Sequence, residues 1–111
     1  MEESKDVGES SENINLGSSI VLSGFKELEP GQMPIIKKIV GHGVKTLSEK
    51  TSKFESLSIT MKKIHSGHGQ YELHGNAIIA GKPVTSEVTN RNLFFALSEL
   101  LEKIEHQVNL K

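Results

Sequence analysis

Three histidines crowd into one short stretch, MKKIHSGHGQYELHG, residues 61–75: His65, His68 and His74, just after the pair Lys62–Lys63. Imidazoles bind zinc well, but a site needs three or four ligands converging in space. His65 and His68 stand three apart across the turn formula Ser66-Gly67-His68-Gly69, and His74 follows on the next strand. A hairpin tip splays such residues apart, and no carboxylate lies inside the turn. The stretch therefore reads as a polar hairpin tip that needs neither metal nor cofactor. Lys62, Lys63 and His65 suit another chemistry, contact with phosphate oxygens from a protruding strand end. Protonation of the imidazoles near pH 6.5 would add to that positive charge.

Nothing else in the chain isolates a reactive centre. Ser, His and Glu are plentiful, but no spacing pairs a nucleophile with its base. Gly41-His42-Gly43 falls inside a helical pattern and does not form a phosphate loop between a strand and a helix. Neither an enzyme activity nor a small-molecule substrate is expected.

The elements that position these residues follow from periodicity. Ser19–Phe25, SIVLSGF, is a candidate first strand. Glu29-Pro30-Gly31 supplies turn chemistry, and Pro34 suits a first helical turn. Ile36, Ile39, Val40, Gly43 and Leu47 then recur at helical spacing, predicting a helix over about 33–50 with Lys38, His42, Lys45 and Glu49 on its solvated side. Gly41 and Gly43 suggest either close packing of that helix on the sheet or a soft helix. Leu57, Ile59 and Met61 alternate with Ser58, Thr60 and Lys62, which is period two. Tyr71, Leu73, Ala77 and Ile79 share the next buried face. Val84, Ser86 and Val88 share the one after the turn Ala80-Gly81-Lys82-Pro83. Leu93, Phe94, Leu97, Leu100, Leu101, Ile104 and Val108 make one apolar stripe, with Asn90 or Asn92 as N-cap. The order is β-α-β-β-β-α. The other sheet face carries Ser, Thr, Glu, His and Asn, so both helices must pack on one face. The fold class is α+β, a two-layer sandwich with a mostly antiparallel four-stranded sheet. That open face has no aromatic stacking platform for single-stranded RNA.

At 111 residues and 35% hydrophobic content, the chain suits a single domain. It has no cysteine, no apolar run of membrane-spanning length and no signal peptide, so a cytoplasmic, membrane-free protein is expected. The net charge of −1 conceals an asymmetry. Residues 1–18 hold Glu2, Glu3, Asp6, Glu9 and Glu12 against Lys5 alone, and read as a disordered acidic tail. Residues 19–111 hold twelve cations against nine glutamates, a mildly basic body.

The last segment carries a resemblance. Asn92-Leu93-Phe94-Phe95-Ala96-Leu97, followed by a helix ending Lys103-Ile104-Glu105-His106-Gln107, resembles the closing motifs of the ribosome hibernation-promoting factors, the family that includes ribosome-associated inhibitor A. Asn92 stands where the family usually has Asp, and His106 where Arg is frequent. The resemblance covers roughly residues 20–108, as a short, single-domain form. It implies a fold similar to double-stranded-RNA-binding domains. It also implies a non-enzymatic factor that sits on the small ribosomal subunit, contacts its rRNA, and silences translation by blocking the mRNA/tRNA channel under stress. The phosphate-contact residues it implies are Lys37, Lys38 and Lys45 on the first helix. At the loop ends they are Lys62, Lys63, Lys82 and Arg91, and on the last helix Lys103. An alternative expectation is a protein-interaction module using the last helix, where Phe95 falls outside the apolar stripe beside Glu99 and Glu102.

Overall fold

A computed structural model describes residues 13–15, 19–26, 28–64 and 69–109. Strands β1 (Asn13–Asn15) and β2 (Ile20–Ser23) lead through a single 3-10 turn (Pro30–Gln32) into helix α1 (Met33–Lys50). Strands β3 (Phe54–Ile64), β4 (Gln70–Ile79) and β5 (Lys82–Asn90) follow, then helix α2 (Leu93–Asn109). The sheet order is β1-β2-β3-β4-β5. The β3-β4-β5 meander is antiparallel, β2 runs parallel to β3 through the α1 crossover, and β1 is antiparallel to β2. The α+β sandwich expected from periodicity is the architecture observed.

One part of the expected tail departs from its reading. Asn13–Asn15 pairs with β2 and adds a short edge strand, with Ile14 opposite Leu22 and packed against the core. The rest of the tail, residues 1–12 and 16–18, lies outside the described residues, as does the hairpin tip with His65 and His68.

Alternation assigns the faces. Leu22, Leu57, Ile59, Met61, Leu73, Ala77 and Val88 are buried under the helices together with Ile36, Val40, Leu47, Leu97, Leu100 and Ile104. Each fully buried aliphatic side chain contributes about 1.5–3 kcal/mol relative to exposure. Ser86 is a polar member of this face, and its hydroxyl donates to the Leu100 carbonyl at 3.1 Å. The opposite face runs in register rows of polar residues, such as Ser58–Asn76–Thr85 and Thr60–His74–Glu87.

Two glycines set how closely the layers approach. A Cβ on Gly75 would stand 3.0 Å from a Leu100 methyl, so α2 crosses the sheet over β4 at this point. A Cβ on Gly43 would stand 2.7 Å from a Leu101 methyl. Gly43 thus serves helix–helix contact instead of the helix–sheet contact expected from sequence, while Gly41 faces open space. At Gly24, φ is +83° and a Cβ would run into the Met61 carbonyl, so only glycine lets the chain leave β2 here.

Candidate nucleic-acid interface

Topology sorts the charged residues into two ends of the sandwich. Lys62 and Lys63 close β3, and Lys63 is opposite Tyr71, which is opposite Asn90, the residue before Arg91. Ser23 is opposite Thr60, so β2 delivers the following Phe25 and Lys26 to this same end. Here α1 begins, and Lys26 and Lys37 line one shallow hollow with Ile14, Phe25, Leu28, Pro30 and Met33. Helix α2 also begins at this end, because it follows β5 directly. Five exposed cations, Lys26, Lys37, Lys62, Lys63 and Arg91, therefore share an end with both helix N-termini. Each N-terminus adds roughly half a positive charge by the alignment of its peptide dipoles. The described carboxylates nearest in chain and register are Glu29 and Glu72. Among the described residues, no ion pair involves any of the five cations.

The remaining expected contact residues lie elsewhere. Lys45 is exposed further along α1. Lys38 lines the groove between the two helices together with His42, Ser98, Glu102 and Glu105. Lys82 stands at the opposite end, opposite Ile79, eight residues of strand or about 27 Å from the level of Lys63. His65 is outside the described residues. Lys26 belongs with Lys37 but gives no local sequence signal, since Glu27 and Glu29 follow it.

Lys103 has a structural task. Its ammonium donates to the Glu87 carbonyl at 3.0 Å, and the Gln107 amide donates to the Thr85 carbonyl at 2.7 Å. Four residues of helix rise about 6.0 Å and two residues of strand about 6.6 Å, so this i,i+4 pair matches the i,i+2 carbonyls of an edge strand. The two side chains cap backbone acceptors that would otherwise invite another strand.

His74 is likewise engaged. Its Nε2–H donates to Glu72 Oε2 at 2.8 Å, and Nδ1 lies 3.6 Å from Glu87 Oε2. His74 thus faces two carboxylates on the open sheet face, away from the cationic end. Among the described residues, no cluster of three or more His, Asp or Glu is arranged to hold a metal ion. None of the described helices is long and apolar enough to cross a membrane. At the start of α2, the Asn92 side chain accepts the Phe95 N–H at 3.0 Å, which makes Asn92 the N-cap. Phe95 itself is 68% exposed, and Ile35 near the start of α1 is 47% exposed.

In sequence, the chain matches no protein-family profile and no curated protein. In structure, it is similar to the crystal structure of the Thermus thermophilus Protein Y N-terminal domain. The TM-score is 0.59 at 18% identity, over 87% of this chain and 98% of that one. A likeness at this identity speaks to the fold, the α+β sandwich described above.

Proposed function

We propose that this chain is a non-enzymatic factor that docks on the small ribosomal subunit through rRNA phosphates and silences translation by occupying the mRNA/tRNA channel. The observation that carries the reading is the gathering of Lys26, Lys37, Lys62, Lys63 and Arg91 at one end with both helix N-termini. The sequence resemblance to hibernation-promoting factors supports the same reading, and so does the fold likeness to the Protein Y N-terminal domain. Lys38 and Lys45 extend the contact along α1, and His65 extends it at the hairpin tip. Lys82 and Lys103 take a lesser part, one at the far end and one bonded to the sheet edge. The mechanism is steric. Cationic side chains fix the register on the phosphates, and the sandwich fills space that messenger and transfer RNA need. The protein works in the cytoplasm, without cofactor or metal.

Five phosphate contacts predict a salt slope of about −4.5 on duplex RNA, taking the duplex-DNA value of about 0.9 per contact. Co-sedimentation with purified small subunits across a salt series reads this directly. Pelleting that falls steeply with salt supports the proposal. Absence of pelleting even at low salt discards the ribosome.

A second reading rests on Phe95 and Ile35, the exposed large apolar residues near the two helix starts. A protein partner seated there would bind with little salt dependence, and Phe95→Ala would abolish its binding.

A further inference from the structure

The described chain begins at β1, and β1 begins at the cationic end. Asn13 is opposite Ser23, which is opposite Thr60, two residues before Lys62. Ile14, the next residue, lines the hollow that Lys26 and Lys37 also line. Residues 1–12 precede this point, carrying Glu2, Glu3, Asp6, Glu9 and Glu12 against Lys5, a net charge of −4. The short strand thus delivers the most acidic stretch of the sequence to the most basic part of the fold.

We propose that residues 1–12 are a built-in competitor, an acidic segment that binds the cationic end and must be displaced before that end takes a polyanion. Three physical facts support this occupant. Its charge complements that of Lys26, Lys37, Lys62, Lys63 and Arg91. Twelve extended residues reach about 40 Å, while the sheet from β1 to β5 is about 19 Å wide, so every one of these cations is within range. Tethering gives the segment an effective concentration of order mM, enough for weak contacts to compete. The open sheet face is a poor alternative seat, because Glu72 and Glu87 present carboxylates there. The intramolecular contact stands on this geometry alone; its regulatory meaning rests on the proposed polyanion binding.

The test compares the whole chain with a charge-neutral variant, Glu2→Gln, Glu3→Gln, Asp6→Asn and Glu9→Gln, in which Glu12 still balances Lys5 and β1 is left intact. Amide NMR shifts of the two proteins are compared at 20 mM and 500 mM salt. Differences should concentrate at Lys26, Lys37, Lys62, Lys63 and Arg91, spare Lys53 and Lys82, and vanish at 500 mM. Differences absent from the first group, or insensitive to salt, would overturn the contact. In parallel, a 16-base-pair double-stranded RNA should bind the neutral variant about tenfold more tightly than the whole chain at low salt, with the gap closing as salt rises. Equal affinities would overturn the competition. RNA binding by neither protein would sink the ribosomal reading, and the NMR shifts would still decide the contact.

Discussion

The two ends of this sandwich hold similar numbers of lysines and use them differently. At the far end, where α1 and α2 finish, Lys50 pairs with Glu105 at 3.5 Å. The turn there is stapled by Glu55, which accepts the Gly81 N–H at 2.9 Å, and by the Lys53 carbonyl, which accepts the Ala80 N–H. One of its lysines is paired and its turn carbonyls close the fold, Lys53 and Lys82 have no ion-pair partner among the described residues, and the helix C-termini lower its potential. At the near end, Lys26, Lys37, Lys62, Lys63 and Arg91 have no ion-pair partner among the described residues, and the helix N-termini raise the potential. The lesson is that cation count says little about an anion site. Helix direction sets the potential in which each group of lysines sits.

If the near end is a shaped surface, its geometry depends first on Gly24. Replacement by Ala places a Cβ against the Met61 carbonyl at a positive φ, and should cost about 3 kcal/mol in urea unfolding. A loss under about 0.5 kcal/mol would mean that the β2 exit is softer than described and that Lys26 is not held beside β3.

The sheet edge offers a smaller effect with a second readout. Lys103→Ala with Gln107→Ala removes both caps on β5 and should cost about 1 kcal/mol, since these bonds are solvent-exposed. It should also promote self-association, visible by light scattering, through the freed edge. A variant that stays monomeric, with unchanged stability, would return Lys103 to the pool of candidate phosphate ligands.

The far turn offers the smallest effect, with opposite sign. Ala80 sits at φ 55° beside Gly81 at φ 77°, the two-residue hairpin in which both central residues are left-handed. Ala80→Gly should stabilise by about 0.5 kcal/mol, because relief of strain slightly exceeds the added chain entropy. It should leave subunit binding unchanged. A change in binding would mean that the far end takes part in the interface.

The division between what the sequence reveals and what it hides follows the range of the interactions. Leu57, Ile59 and Met61 announce β3 because burial of one sheet face writes a period of two directly into the chain. The α2 stripe is legible for the same reason at period 3.6. Asn13–Asn15 is not legible, since one apolar residue between two asparagines carries no period, and only pairing with β2 makes it a strand. The task of Lys103 is hidden because its partner, Glu87, is 16 residues away on another element. Lys26 is hidden because the glutamates beside it mask any local basic run. The resemblance supplies candidate cations along the whole chain, but not their division between two ends. That division exists only once α1 and α2 are seen to start on the same side.

On the proposed reading the near end, and not the far one, is the anion-binding surface. Two charge reversals of equal size test it most directly, Lys62→Glu/Lys63→Glu at the near end and Lys53→Glu/Lys82→Glu at the far end. Both would be followed by co-sedimentation with small ribosomal subunits at low salt. A loss of more than about tenfold is expected for the first pair, with a salt slope shallower by about 1.8, and a change under about twofold for the second. Equal losses from the two pairs would reduce the binding to net charge alone, and a larger loss from the far pair would contradict the assignment.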